Sequence, residues 1–126
     1  MRSILPPILL LAALCLLALG NARIVSDVTD RCVLPLDEAA ALADSGNWPG
    51  AREALSRSEA QWQRWRSYLR ITATHTMVDA VDSMYHRSRA FGETEELTEF
   101  RAEAAGLRAQ LLHMAETEGF HLENIL

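Results

Sequence analysis

Residues 48–70 read "WPGAREALSRSEAQWQRWRSYLR". Trp48, Ala51, Leu55, Ser58, Trp62, Trp65 and Leu69 follow one another at alternating steps of three and four, and Ser58 is the only polar member. That spacing brings all seven to one side of an α-helix and makes a heptad seam, the pattern of a helix packed against other helices. Asn47 is placed to cap the first turn, and Pro49 falls within that turn, where proline is tolerated.

The same rhythm continues in both directions. Thr72, Thr74 and Thr76 lower helix propensity together, so the helix should end or kink there. A third stretch carries Met77, Val78, Val81, Met84, Tyr85 and Phe91 along one side and closes at Gly92. A fourth, from about Glu95, repeats the three-four stepping through Leu97, Phe100, Ala104, Leu107, Leu111 and Met114, with Gly119 as its expected end. Toward the N-terminus, Pro35 and Leu36 read as the start of a short helix that reaches Asp44 and closes at Gly46. No stretch reads as a strand. The connections are short, so consecutive helices should be antiparallel neighbours. The expected core comprises Trp48, Leu55, Trp62, Trp65, Leu69, Val81, Leu97, Phe100, Leu107 and Leu111. "SGNWPGAREAL", residues 45–55, has the grammar of a tetratricopeptide hairpin, a peptide-binding module. A 34-residue period does not recur, and such repeats need several copies to bury their faces.

The leading segment, "MRSILPPILLLAALCLLALG", sets the compartment. Ile4 to Leu19 is sixteen residues without charge, long for a signal-peptide core and short for a spanning helix. Ala18 and Gly20 are small residues suited to cleavage before Asn21, which would give a secreted protein. The favoured reading is an uncleaved anchor, because Ile24, Val25, Val28 and Cys32 continue a helical rhythm beyond Gly20. Arg2 at the leading end places the remainder outside the cytoplasm of a single-pass membrane protein. Leu14 before Cys15 argues against lipidation, since such signals want a small residue there. Cys15 and Cys32 lie on one helix at a separation of roughly 25 Å, far beyond disulfide reach. Two regions result: residues 1–31 as anchor and juxtamembrane extension, and residues 32–126 as an extracytoplasmic helical bundle.

Seventeen acidic residues face twelve arginines and no lysine, for a net charge of −5. Arginines concentrate between Arg52 and Phe91, and glutamates from Gly92 onward, so a basic middle can pack against an acidic last helix. Overall acidity argues against nucleic acid. "WQRWRSYLR" interleaves aromatics with Arg64, Arg66 and Arg70, but Trp62 and Trp65 belong to the seam. No nucleophile–base set, phosphate loop or CxxC is present, and an enzyme is not expected. His75, Asp79, Asp82 and His86 share one narrow helical stripe and could supply pairs of Zn²⁺ or Mn²⁺ ligands. The ends of that stripe lie about 16 Å apart, so no single ion reaches all four. A solvated polar face is the plainer reading, and no metal or cofactor is expected.

The chain closes on "FHLENIL", with Phe120, Leu122, Ile125 and Leu126 apolar and Asn124 able to cap a turn. A reversal at Gly119 would let this tail dock on the bundle. The order of features resembles domain-of-unknown-function family 4363, small bacterial proteins often seen in spore-forming lineages. The resemblance rests on Trp48 with Ala51 in "GNWPGA", Trp62, His75 followed by Asp79, and the terminal Asn124-Ile125-Leu126. It implies no catalytic activity. The expectation is an all-α protein: a membrane-anchor helix, then a small antiparallel bundle with a docked C-terminal tail. Its expected role is interaction or scaffolding with a membrane or envelope protein, with homo-oligomerisation left open.

Overall fold

The computed structural model describes the backbone of residues 4–125 and the side chains of residues 4–117 apart from Thr72. Four helices follow in order: α1 (Leu5–Asp44), α2 (Trp48–Thr72), α3 (His75–Glu93) and α4 (Leu97–Ile125). Among the described residues there is no strand. Each helix packs on its neighbour in sequence and α1 also packs on α4, which closes an up-down-up-down ring. The backbones of α1 and α3, and of α2 and α4, do not come close, so these pairs stand on the diagonals and meet only through long side chains in the core.

α1 departs most from the sequence reading. It is one helix of 40 residues that runs through Pro35 without interruption. A proline inside a helix loses a backbone N–H and crowds the preceding turn, at about 3 kcal/mol. Tertiary packing outweighs that cost here. Val25, Val28, Thr29, Cys32 and Val33 before the proline are buried on the same stripe as Leu36, Ala39 and Ala43 after it. A break at Pro35 would turn one of those halves out of the core. The short helix expected from Leu36 is therefore the last part of α1, and burial begins at Val25, on the anchor side of position 31. Ahead of it, Leu5, Leu9, Leu10, Leu16 and Leu17 stand exposed on a helix whose most apolar window has a mean hydropathy of 2.3.

The turns follow from local chemistry. Gly46 closes α1 at φ +82°, a left-handed conformation that glycine adopts without strain. The Asn47 side chain then accepts from the Gly50 N–H at 3.1 Å and caps α2. α2 ends at Thr72, Ala73 is extended, and the Thr74 hydroxyl accepts from Met77 N–H at 3.3 Å to open α3. The threonine cluster is thus both stop and restart.

Leu55, Trp62, Leu69, Val81, Phe100, Leu107 and Leu111 are buried, while Trp48 and Trp65 are half-buried against the core. Trp48 meets the Phe100 ring edge-on at 5.5 Å. Leu97 does not join them. It is the first residue of α4, above the packed layers, and is 36% exposed. Gly92 sits under Phe100: a Cβ there would come within 3.3 Å of the ring. Gly119 does not end α4, whose backbone continues helical to Ile125. Glycine costs a helix only about 1 kcal/mol, too little alone to terminate one. The expected docking of Phe120, Leu122, Asn124, Ile125 and Leu126 concerns side chains outside the described residues.

Trp62 has no exposed surface. In detergent, Trp62→Ala should lower unfolding stability by about 3–5 kcal/mol, through the lost ring and the cavity it leaves. Pro35→Ala should act in the opposite direction. Restoring one helical N–H should raise the midpoint of denaturant unfolding, by up to about 3 kcal/mol in stability. An unchanged midpoint would show that the backbone around Arg31 is already satisfied.

Candidate functional site

Three places concentrate polar chemistry. The first is inside the core, at the one polar residue of the α2 seam. Ser58 is fully buried. Its hydroxyl donates to the Cys32 carbonyl at 2.6 Å and lies 2.7 Å from the Tyr85 hydroxyl. The carbonyl can only accept, which commits the serine proton to α1. Tyr85 must then donate to Ser58, so one chain of hydrogen bonds joins α3, α2 and α1. Burial pushes the Cys32 thiol up to about 11, against a smaller lowering by a hydrogen bond with Tyr85. Burial also raises the Tyr85 phenol. Both groups are neutral near pH 7, and a protonated, enclosed thiol is a poor nucleophile. The cluster is a structural tie. Cys15 and Cys32 are both free.

The second place is Asp82 on α3. One carboxylate oxygen accepts from the Trp62 indole Nε1–H at 2.7 Å, and the other meets the Arg66 guanidinium at 2.7 Å. Burial works to raise the Asp82 pKa, but the hydrogen bonds from Arg66 and Trp62 outweigh it and lower the group from its usual 3.8. The candidate metal stripe lies on the same face of α3. Asp82 is engaged by α2, Asp79 pairs with Arg70 at 3.3 Å, and His75 and His86 are exposed. Among the described residues, no three His, Cys, Asp or Glu side chains are grouped to hold a metal ion.

The same contacts correct the expected charge pairing. Among the described residues, the arginines of "WQRWRSYLR" pair with no acid of the last helix, since α2 and α4 are diagonal. Arg66 and Arg70 bind acids of α3 instead. α4 receives Arg87 of α3 on Glu103 and sends its own Arg101 and Arg108 to Asp44 and Asp37 of α1. α1 and α2 are joined by Glu38 and Arg57 at 3.0 Å. These exposed pairs contribute little each, but they discriminate one helix order from another.

The third place is a groove of about 380 Å³ between α1 and α2, lined by Arg31, Leu34, Pro35, Glu38, Arg57, Ala60 and Gln61. Leu34 is 78% exposed beside it. The Gln61 Oε1 is buried with no hydrogen-bond partner. Pro35 contributes a ring and removes the N–H that the Arg31 carbonyl would accept within the helix. Apolar floor, charged rim and a residue with an unpaired acceptor meet here. No periodicity could have disclosed it, because Leu34 lies off every buried stripe and Pro35 reads as a helix start.

The family model described as "Domain of unknown function (DUF4363)" matches residues 20–125. The chain belongs to this family, and the match begins where the apolar segment ends. No curated protein and no solved structure matches the chain.

Asp82→Asn should keep an acceptor for Trp62 while removing the charge that holds Arg66, and should destabilise the bundle by about 1–3 kcal/mol. The folded pKa of Asp82 is depressed, so its contribution is present above about pH 4 and is lost as the pH falls through the lower folded value. The difference in stability between wild type and Asp82→Asn should therefore shrink below about pH 4, measured by denaturant titration across pH.

Proposed function

We propose that this chain is a membrane-anchored, extracytoplasmic helical module that binds a membrane or envelope protein through the α1–α2 groove, and that it is not an enzyme. The observation that carries the reading is the groove itself. Gln61, whose side-chain oxygen is buried without a donor and so costly to leave as it stands, lines the groove together with the exposed Leu34. A protein segment offering one apolar side chain would cover Leu34, and an N–H or O–H beside it would satisfy the Gln61 amide once that side chain turns toward the groove. Arg31 and Arg57 with Glu38 at the rim suit a partner of mixed charge.

The anchored half of the reading is supported by α1, whose exposed apolar part runs into the core stripe without a connecting loop. Cleavage near Gly20 would release the same bundle as a secreted protein. The polar distribution around Asp82 gives no support to a metal-sensing role.

Two measurements test the two halves. The protein should stay with membranes after carbonate washing and retain Met1 or Arg2; a mature chain starting at Asn21 or Arg23 overturns the anchor. In intact membranes, a photo-reactive residue at Leu34 should give a discrete cross-linked adduct, and one at the exposed Ala102 of α4 should not. Equal labelling from both positions would remove the groove from consideration.

A further inference from the structure

We infer that the lower end of the bundle, around Ile71 and the α2–α3 turn, sits at the headgroup level of the bilayer that α1 enters, with the Ile71 side chain reaching into the outer edge of the hydrocarbon. The inference rests on the anchored reading above and adds a lipid contact made by the folded domain itself.

The argument starts from length. Ile4 to Leu19 is sixteen residues, about 24 Å of helix at about 1.5 Å per residue. A hydrocarbon core is about 30 Å thick, so the apolar run falls short by roughly 6 Å, or about four residues. With Ile4 at the opposite boundary, the outer boundary of the hydrocarbon then falls near Arg23, whose side chain is exposed and able to reach the phosphates. Either the bilayer thins or the protein brings more apolar surface to that level.

The antiparallel register shows what lies at that level. Ser58 meets Cys32, and ten residues further along α2 the Tyr68 hydroxyl donates to the Asn21 side chain at 2.5 Å. Continuing that register sets Ile71 beside about Leu19, below the level of Arg23. Ile71 is 85% exposed, more than any other large apolar side chain described in the protein. In water it has no purpose in the fold; at an interface it extends the apolar surface that α1 lacks. Trp65 and Tyr68 stand edge-on at 6.2 Å just above it, the amphipathic residue types that settle at headgroup depth. The exposed guanidiniums of Arg64 and Arg70 border the same end of α2.

The test uses the full chain with Cys15→Ala, reconstituted in vesicles of phosphatidylcholine and phosphatidylglycerol. Cys32 is buried and should not take label, which the unsubstituted background checks directly. An environment-sensitive fluorophore is attached in turn through Leu10→Cys in the apolar run, Ile71→Cys at the turn and Leu34→Cys on the bundle side. All three positions are exposed on the protein, so a substitution there removes no core contact. With spin-labelled lipid as quencher, Leu10 and Ile71 should both be quenched and blue-shifted, with quenching at Ile71 at least three-fold that at Leu34. Quenching at Leu10 with Ile71 matching Leu34 would overturn the lipid contact and leave the anchor standing. Absence of quenching at Leu10 would overturn the anchor and the contact together.

Discussion

A helix has no hinge: each residue fixes the height and the bearing of the next, at about 1.5 Å and about 100° per step. From Leu5 to Asp44 the chain accepts that constraint without relief, and the other helices are arranged to suit it. Once Val25 faces inward, the positions of Cys32, Leu36 and Ala43 are set, and with them the surfaces on which α2 and α4 must pack. The apolar leader and the bundle core are two stretches of one rigid element. That continuity is also why the register between α1 and α2 can be read down to the level of Leu19.

Polar groups decide the pairing inside this frame. An apolar stripe can slide by a turn with modest loss, whereas a buried hydroxyl that misses its acceptor costs the full desolvation of that group. Ser58 reaches the Cys32 carbonyl and Tyr85 reaches Ser58, so α1, α2 and α3 lock at one height. Thr29 approaches the Leu111 carbonyl at 3.5 Å and marks the corresponding level between α1 and α4. Asp82 closes the α2–α3 contact from the outside, with Trp62 and Arg66. Among the described residues, the peripheral ion pairs follow the ring and none bridges a diagonal.

The helical class, the α2 seam, the Asn47 cap and the break at the threonines were legible because each is a local property of spacing or turn chemistry. What failed was non-local. Pro35 looks like a first-turn proline, and only the shared stripe of Cys32 and Leu36 shows why the helix passes through it. Leu97 keeps perfect three-four stepping yet lies beyond the packed layers, since periodicity assigns a face and says nothing about where the neighbour ends. The arginines of α2 carry the right charge for α4, but the ring places α3 next to them. Gly119 is too weak a signal to stop a helix by itself. Ser58 is the instructive case: read as the break in an apolar seam, it is the hub that ties three helices. The groove at Leu34 and Gln61 was invisible, because it is made by residues that follow no stripe.

With α1 anchored as proposed, its unbroken course also makes the molecule a lever. From Gly20 to Asp44 the helix rises about 36 Å, so a tilt of about 20° in the bilayer, ordinary for a single span, would carry the far end of the bundle sideways by about 12 Å. With no loop to absorb rotation, a change in bilayer thickness or in lateral pressure on the leader becomes a swing of the α1–α2 groove relative to the membrane surface. On the proposed reading, the height and direction at which a partner meets Leu34 are then set by the lipid.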